Sequence, residues 1–452
     1  MNQCAEIPNV EANLRAGAAA VCITPPVGAI ISGELAPRVA QRIHDDLFVR
    51  ALALDDGETK LAFAIVDTCV LDRPLCDEAK RLIQHQIGLP PENVLVSAVH
   101  THSGGAACGV HLTEADDSYR CVLPARIAEA VCAAVNRLVP AQVGWARGAV
   151  PQHVFCRRLL IKTGFTYVNQ LGQTGERVKM NWDSPHPADG EPAGPVDPEL
   201  FVLSIQHTDG RPLAVLANYS LHYVGDVPAG DISADYFGVF ARRVAELLGA
   251  DSSFVAILSN GTSGDINNWD PKVGPGSPAP YWRVQKVAGD VAEETLRVLR
   301  HMQYRRDVRL RTVWRECKLA TRRPTSAELE QARALVAGRS PRELITWREN
   351  YAREQVLLAD YPPEVSLPLQ VFRIGELAVA AWPGEIFAVS GLALKSRHQP
   401  LFNIELANGW FGYIPPPEQF QLGGYETWRM RTSFLEINAL PKLLACFEEM
   451  LR

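Results

Sequence analysis

The chain has 452 residues, of which 47% are hydrophobic and 21% are charged, and its formal net charge is -6. This is the composition of an ordinary globular protein, and it excludes a largely disordered chain. The charge is spread without basic runs, and no window approaches the ~20 apolar residues of a membrane span. We therefore expect neither nucleic acid as a partner nor stable membrane insertion.

The predicted elements alternate between strands and helices. Hydrophobic periodicity defines them, and residues such as Asp56-Gly57, Pro124 and Asp209-Gly210 mark turns and a helix start. In chain order we predict a hairpin at 49–67, a helix at 72–87, a buried strand at 92–100, a helix within 119–138, an irregular segment at 163–197, a hairpin at 201–218, a helix at 233–248 opened by Ser233, a strand at 253–259, an irregular segment at 268–282, helices at 281–301 and 325–358, a hairpin at 371–382, a strand at 401–408 and a helix at 433–451. This mixed order predicts an α/β fold, a layered mixed β-sheet with flanking helices. Because neither a repeat nor a linker is visible, we expect one domain over residues 1–452.

Two features predict the cellular compartment. The ten cysteines stand singly without a CxxC pair, which favours reduced thiols over a disulfide framework or a cysteine metal site. Residues 1–26 lack the basic start and long apolar stretch of a secretory signal peptide. Both features predict a cytoplasmic protein.

A pair of histidines follows the predicted strand at 92–100, in His100-Thr101-His102. In extended backbone, residues i and i+2 project to the same side, so both imidazoles would aim at one point. Such a pair suits a metal site, or one metal ligand beside an acid/base group. Taken alone, the motif suits a pair of structural or surface histidines equally well.

Three further motifs place chemically active side chains after apolar runs. His222 ends one run, Glu385 follows a Pro-Gly turn, and Tyr413 and Tyr425 follow a segment with Asn-Gly-Trp. His222 taken alone suits a core position. In combination, two histidines, a carboxylate and a phenolate would supply the ligands that zinc requires, with a position left open for water. Zinc lowers the pKa of a bound water to roughly 7, so the protein need not supply a nucleophile.

These motifs resemble the neutral/alkaline (non-lysosomal) ceramidase family, and they do so in the family's order over nearly the whole chain. The matching segments are Ile23-Thr24-Pro25-Pro26-Val27-Gly28, His44-Asp45-Asp46-Leu47 with Arg50-Ala51, the HTHSG motif at 100–104, Asp197-Pro198-Glu199, Asn218 to His222, Ile232-Ser233-Ala234-Asp235-Tyr236, Gly264-Asp265-Ile266-Asn267, Pro383-Gly384-Glu385, Tyr413 and Tyr425. The ordered set is far more specific than any one of its members.

The resemblance implies a ligand set and a proton-transfer residue. Zinc would be bound by His100, His222, Glu385 and Tyr413. His102 would be the acid/base residue that handles the proton of the water or of the leaving group.

The resemblance also implies residues that bind the substrate. Tyr425 would hydrogen-bond the scissile carbonyl and stabilise the oxyanion. Arg157 lies where the family has a substrate-pocket Asn-Arg, and we predict Trp410 and Asp265 as further substrate contacts, with core packing as the alternative for Trp410. Asp235 would orient a metal ligand.

The chain departs from the family pattern in three respects. Asn267 stands where the family has an active-site serine; a carboxamide is no nucleophile, but it can donate a hydrogen bond to an oxyanion or a polar substrate. The family's C-terminal β-sandwich domain and its secretion signal are not seen. These departures predict a cytoplasmic relative whose substrate is a small or polar N-acyl compound rather than membrane ceramide.

Other catalytic motifs are weaker. Ser263 lies in a Gly/Ser segment, but a nucleophile elbow needs glycine at -2 and +2, and here glycine stands at -2 and +1. We therefore favour a loop at a sheet edge. His111, His153 and His186 belong to no motif, and we predict loop or surface positions for them.

The sequence thus predicts a zinc-dependent amidohydrolase that acts on a small-molecule N-acyl substrate. An ester or sugar-type hydrolase on the same metal site is one alternative, and a metal-binding pseudoenzyme or ligand sensor is another. His102 and Tyr425 favour catalysis, because metal binding alone requires neither. A homo-oligomer is compatible with the sequence.

Overall fold

The computed structural model describes residues 14–452. Residues 1–13, on which the signal-peptide prediction partly depends, lie outside the described residues. The helices are α1 Arg73–Ile87, α2 Asp117–Arg120, α3 Leu123–Asn136, α4 Asp235–Leu248, α5 Trp282–Leu299, α6 Ser326–Val336, α7 Trp347–Ala359, α8 Ala388–Arg397, α9 Pro417–Leu422 and α10 Ala439–Met450.

The strands follow in chain order. They are β1 Arg15–Cys22, β2 Ile30–Ile31, β3 Arg38–Val39, β4 Arg42–Ile43, β5 Phe48–Asp55, β6 Lys60–Val66, β7 Val94–Ala98, β8 Val139–Ala149, β9 Phe155–Cys156, β10 Arg158–Ile161, β11 Val178–Met180, β12 Asp189–Pro192, β13 Glu199–His207, β14 Pro212–Tyr219, β15 Asp231–Ile232, β16 Val255–Asn260, β17 Ile266–Asn267, β18 Leu310–Ala320, β19 Glu364–Ile374, β20 Leu377–Ala381, β21 Glu385–Ile386, β22 Leu401–Ile404 and β23 Tyr413–Ile414.

The larger sheet has eight strands in the order β16-β14-β13-β8-β1-β5-β6-β7. Its neighbours are antiparallel except for the outer pairs β14–β16 and β6–β7, which are parallel. The strand β16 also contacts β5, β6 and β7, which are not its neighbours in the sheet. The sheet therefore curls, and its two ends approach each other across the interior.

Helices cover one face of this sheet because its strands alternate large and small apolar side chains. In β5 and β6, Leu52 and Phe63 enter the central core, whereas Ala51 and Ala64 face the layer that holds α1 and α3. Small side chains let α3 approach closely. At Gly17 of β1, a Cβ atom would lie 2.2 Å from the Ala134 carbonyl oxygen of α3.

A second sheet has four strands in the order β18-β19-β20-β22. Phe372 and Phe402 point from it into the central core, where their rings lie 5.1 Å from Phe63 and 4.9 Å from Phe201 respectively. Its other face packs against α10. The two sheets with their helices form the layered α/β fold that the sequence predicts.

The predicted hairpins at 49–67, 201–218 and 371–382 are present in the structure as the antiparallel pairs β5–β6, β13–β14 and β19–β20. The single helix predicted over 325–358 is wrong, because Gly338 takes a left-handed φ of 71° and ends the run. Thr346 then opens α7 with a capping box of its own. The helix predicted from Ser233 begins at Asp235, whose amide donates to the Ser233 hydroxyl at 3.0 Å.

No helix within residues 14–452 combines the length and the apolar character needed to cross a membrane.

Candidate metal centre and active site

His100 lies two residues beyond the end of β7 and is buried. Its φ of 78° is left-handed, a conformation that costs a non-glycine residue on the order of 1–3 kcal/mol. The His100 amide donates to the Thr68 carbonyl at 3.0 Å, and the ring Nδ1 donates to the Cys69 carbonyl at 2.9 Å. These bonds fix the ring and leave Nε2 directed away from the strand.

His222 follows β14 and is held in the same way. Its Nδ1 donates to the Ser263 carbonyl at 3.1 Å, and the Tyr236 hydroxyl donates to the carbonyl of the preceding Leu221 at 2.9 Å. The Asn260 amide donates to the carbonyls of both His222, at 3.0 Å, and Val99, at 3.3 Å. Asn260 therefore ties the two histidine segments together.

Glu385 and Tyr413 face each other across the parallel bridge between β21 and β23. The Trp410 indole donates to Glu385 Oε1 at 2.9 Å, whereas the buried Oε2 has no partner within residues 14–452. Gly264 allows this segment to approach, since a Cβ there would lie 2.8 Å from the Glu385 carbonyl oxygen.

Ser263 helps to hold the segment that contains Glu385. Its hydroxyl donates to Glu405 Oε1 at 2.5 Å, and Glu405 Oε2 accepts from the Ile386 amide at 2.7 Å. Ser263 is fully buried. It therefore holds the loop, in agreement with the rejection of a nucleophile elbow at this residue.

Three hydrogen-bond acceptors converge at the centre of the site. The Nε2 atoms of His100 and His222 lie 3.0 Å apart, and Glu385 Oε2 lies 3.5 and 3.6 Å from them. Since each Nδ1 carries the ring proton, both Nε2 atoms present lone pairs, and burial lowers the pKa of both rings. Facing lone pairs and a buried carboxylate oxygen repel one another unless a cation lies between them, so these residues fit a divalent metal.

Tyr413 lies beside this group. Its ring is parallel to that of His222 at 6.4 Å between centroids, and the Arg157 guanidinium lies 5.3 Å from its ring centre. Burial raises the pKa of Tyr413 well above its usual value; Arg157 opposes this effect and Glu385 adds to it. A phenolate ligand at this residue would therefore require the charge of a cation.

A second group of metal-binding types comprises Cys69, His100 and His102. The Cys69 thiol lies on the Nδ1 side of the His100 ring, 3.8 Å from Nδ1. That nitrogen already donates to a backbone carbonyl and is not available to a metal. Burial raises the pKa of Cys69 well above its usual value, so the thiol stays protonated. The group of His100, His222 and Glu385 is the better metal site.

We call His100, His222 and Glu385, with Tyr413 beside them, the metal group. His102 lies at its edge, with its Nε2 3.2 Å from that of His100. Its ring stacks on Tyr223 at 3.7 Å, and Glu34 Oε1 lies 3.7 Å from its Nδ1. Burial lowers the pKa of His102 to about 3, although Glu34 raises it, and His102 in turn lowers the pKa of Glu34 to about 2. At neutral pH a neutral imidazole therefore faces a carboxylate. Gly33 permits the contact, since a Cβ there would lie 2.6 Å from His102 Cγ.

Two adjoining cavities open beside His102 and His222. One has a volume of about 360 Å³ and a mixed lining, whose polar members include Glu34, Arg38, Asp226, Asn267 and Asn268. The other has a volume of about 400 Å³ and a largely aromatic lining that includes Tyr223, Trp182, Trp347, Tyr413 and Tyr425. Their combined size suits a small or medium-sized ligand. We call them the polar cavity and the aromatic cavity.

Arg157 lines both cavities and is buried. Its Nε donates to Glu426 Oε1 at 2.8 Å, and within the described part of the chain its Nη2 is a buried donor without a partner. Tyr425 lines the aromatic cavity, with its ring 5.5 Å from that of Tyr413. Both residues therefore present polar atoms where the sequence predicts substrate.

The other predicted residues occupy different positions. Asn267 lines the polar cavity and donates to Asn181 Oδ1 at 3.1 Å. Trp410 and Asp265 line neither cavity: Trp410 binds the carboxylate of Glu385, and Asp265 accepts from the Ala388 amide at the start of α8 at 2.8 Å. The structure therefore places neither side chain in the cavities, and their predicted role as substrate contacts stays a prediction.

Asp235 acts on backbone rather than on an imidazole. Its carboxylate accepts from the amides of Val224 and Gly225 at 3.1 and 2.8 Å, in the segment that follows His222. Asp235 thus contacts the backbone of the segment that follows His222, and not the His222 ring; its role in orienting a metal ligand stays a prediction.

Several lining residues were absent from the sequence predictions, among them Glu34, Tyr223, Trp182 and Trp347. His111 lies in a loop, one of the two positions predicted for it, but it is buried; the loop or surface position predicted for His153 is wrong, since it is buried in the short 3-10 helix Pro151–His153. His153 pairs with Asp290 at 2.7 Å, and His111 reaches the hydroxyl of Tyr425. Two of these residues could have been found from the sequence: Tyr223 is adjacent to His222, and Trp182 lies in the irregular segment at 163–197. No sequence pattern marks His111 as part of the site.

No family model matches the chain. Two solved structures share its fold. The crystal structure of neutral ceramidase from Pseudomonas aeruginosa is 18% identical, with a TM-score of 0.73 over 97% of this chain and 74% of that chain. A structure of ceramidase complexed with C2 is 17% identical, with a TM-score of 0.72 over 97% of this chain and 75% of that chain. The chain therefore has the fold of the neutral ceramidases, which confirms at the level of the fold the resemblance seen in its motifs.

Proposed function

We propose that the protein is a zinc-dependent hydrolase that uses water to cleave the amide bond of a small or polar N-acyl compound. One observation carries the proposal: the two imidazole Nε2 atoms and the unpartnered Glu385 Oε2 converge in a buried group. With Tyr413 opposite Glu385, these residues would hold the ion. Nitrogen, carboxylate and phenolate donors suit zinc.

A divalent metal in this group would act as a Lewis acid and bring the pKa of a water molecule near 7. His102 is placed to take the proton from that water, because its ring is neutral at pH 7 and its Nε2 faces the metal group. The water oxygen would bond to the carbonyl carbon. His102 would then return the proton to the amine nitrogen as the carbon–nitrogen bond breaks.

The carbonyl oxygen gains negative charge in this step and needs donors. Tyr425, which lines the aromatic cavity, and the Nη2 of Arg157, which has no partner within residues 14–452, would supply them. Both groups are buried, so their hydrogen bonds would be stronger than in water.

The cavities support a substrate with two unlike parts. The polar cavity offers carboxylates, amides and a guanidinium, and the aromatic cavity offers flat apolar surfaces. Asn267 would bind the polar part of the substrate. This pairing of polar and aromatic cavities favours a small or polar N-acyl compound over a membrane lipid with two long chains.

We further propose that the chain acts as one catalytic domain in a reducing, cytoplasmic setting. The cysteines within residues 14–452 are free thiols, and most of them are buried. This pattern is ordinary for a protein without structural disulfides.

The proposal is tested by elemental analysis of the purified protein combined with an assay against a panel of N-acyl compounds, esters and sugar amides. We expect one zinc per chain and turnover of an N-acyl compound that chelation abolishes. Hydroxylamine should trap no acyl-enzyme, because Ser263 is buried and engaged and Asn267 is not a nucleophile. Stoichiometric zinc with ligand binding but without turnover would contradict the enzyme and support a sensor, and preferred ester cleavage would contradict the amidase.

A further inference from the structure

The hydroxyl of Tyr425 has a buried partner that lies far away in the chain. His111 Nε2 is 2.9 Å from the Tyr425 oxygen. His111 is only 4% exposed and has a left-handed φ of 51°, so a strained loop residue is held inside the protein.

The loop of His111 is fixed independently of Tyr425. The His111 carbonyl accepts from Arg353 Nη1 at 2.6 Å and from Arg431 Nη2 at 3.1 Å. Arg431 is anchored in turn by the buried Glu354 at 2.7 Å. The ring packs edge-on against Trp347, with 5.2 Å between centroids. The imidazole is therefore a rigid support against which the tyrosine rests.

The neighbour on the other side of the ring selects its tautomer. Asn350 of α7 directs its Nδ2 to His111 Nδ1 at 3.3 Å and to the sulfur of Met430 at 3.9 Å. In this orientation of the Asn350 amide its nitrogen donates, so Nδ1 is the acceptor; the opposite orientation would place the ring proton on Nδ1. Burial lowers the pKa of His111 to about 4, so the ring is neutral at pH 7 and carries its single proton on Nε2.

The direction of the hydrogen bond to Tyr425 follows from that tautomer. His111 Nε2–H donates to the tyrosine oxygen, and the tyrosine does not donate to His111. The tyrosine's own O–H is therefore not used by His111 and can donate to another acceptor. A hydroxyl oxygen that accepts a hydrogen bond also becomes a better donor.

We propose that His111 is a positioning residue, which orients Tyr425 by donating to its oxygen and keeps the tyrosine proton available for the substrate's carbonyl oxygen. This inference rests on the proposed function, since it presumes that Tyr425 stabilises an oxyanion. His111 also lines the aromatic cavity, but the proposed role acts through Tyr425. It needs no contact with metal or substrate.

The test compares H111F, Y425F and the double variant on the zinc-loaded protein. We expect H111F to lower kcat about 10- to 100-fold, a part of the ~10²–10³ that one oxyanion donor supplies, with KM changed less than about 3-fold and zinc content unchanged. In the Y425F background, H111F should cause no further loss, because its effect runs through the hydroxyl that is already gone. H111Q, whose amide nitrogen can donate to the same oxygen, should restore most of the lost rate.

A matched control is H153F, which removes another buried histidine that pairs with Asp290 and lies outside both cavities. It should leave kcat unchanged. Additive losses in the double variant, or wild-type kcat in H111F, would overturn the inference while wild-type turnover stands. A wild-type protein that binds zinc but turns over no substrate would instead contradict the proposed function.

Nitrogen NMR of the wild-type protein with ¹⁵N-labelled histidine tests the tautomer directly, even if H111F fails to fold. The His111 resonance, assigned by its absence in H111Q, should show the proton on Nε2. A proton on Nδ1 would mean that the tyrosine donates to the histidine, and this would overturn the inference.

Discussion

The metal group and the aromatic cavity lie side by side but are built differently. Each candidate metal ligand lies in or next to a strand; His100 and His222 are fixed by backbone carbonyls at 2.9 and 3.1 Å, and Glu385 is held by the Trp410 indole. The aromatic cavity is formed by a short turn, loops and the first turn of a helix. There, Trp182, Trp347 and Tyr425 support one another at ring distances of 5.5–5.6 Å.

This difference suggests that metal binding and substrate selection depend on separate parts of the structure. The sheet sets the geometry of the metal group, so changes in the loops can alter the cavity without moving the ligands. We therefore expect variants of the metal group to lose metal and activity together. Variants of the cavity should lose activity while they keep the metal.

The largest effect is expected from H100A and from H222A. Each variant removes a ligand from the buried group and leaves the remaining acceptors without their cation. We expect loss of bound zinc and a fall in activity of about 10³-fold or more. Elemental analysis together with the steady-state rate measures both. Stoichiometric zinc in either variant would remove that residue from the ligand set.

Y425F tests the cavity side of the comparison. The ring and its packing remain, but the donor to the oxyanion is lost, so kcat should fall by about 10²–10³. Zinc content should equal that of the wild-type protein. An unchanged kcat would exclude Tyr425 as the donor, and lost zinc would show that the two regions are not separable.

W410F tests how a residue behind the metal group affects its zinc affinity. The phenyl ring keeps most of the packing but loses the hydrogen bond to Glu385 Oε1, so zinc affinity should fall about 10- to 100-fold. Competition with a chromophoric chelator measures the affinity. W314F, which loses an exposed indole bond to Glu316, is the matched control and should bind zinc normally. Equal affinities in the two variants would contradict the role of Trp410.

E34Q gives the smallest effect and tests the boundary between the regions. The Glu34 carboxylate raises the pKa of His102, so its neutralisation lowers that pKa and shifts the acid limb of kcat/KM to lower pH. The weaker base should lower the maximal rate by roughly 10-fold. The pH profile is measured with zinc content checked at each pH, and E58Q, at an exposed pair with Arg309, is the control. A shift to higher pH would contradict the assignment of His102 as the base.

The convergence of His100, His222 and Glu385 could be predicted because each lies in a short motif at the end of an apolar run, whereas the choice of His100 over His102 as a ligand came from the family resemblance. Periodicity locates the strand end, and the residue type supplies the chemistry. For Asp265 and Trp410, which line neither cavity, the role of substrate contact stays a prediction. A motif fixes which residues are neighbours in the chain, but it does not say on which side of a loop a side chain lies.

The cavity could be predicted only in part. Tyr425 was found through its motif, whereas His111 contacts it across 314 positions of sequence. No local pattern marks such a contact, because it arises when the His111 loop and α7 pack against a turn near the end of the chain. The helix predicted over 325–358 failed for a related reason, since one glycine and one capping threonine outweigh the periodicity of the whole segment.

If His100, His222, Glu385 and Tyr413 bind the ion as proposed, they would couple metal uptake to folding. His100 and His222 follow strands of the eight-stranded sheet, whereas Glu385 and Tyr413 lie in the later part of the chain that also forms the four-stranded sheet. Neither part of the chain alone supplies all four donors. Because an ion bound only by the native state stabilises it by mass action, free zinc should raise the melting temperature and chelators should lower it. Metal occupancy would thus report whether both parts have docked correctly, a built-in check on assembly in addition to any role in catalysis.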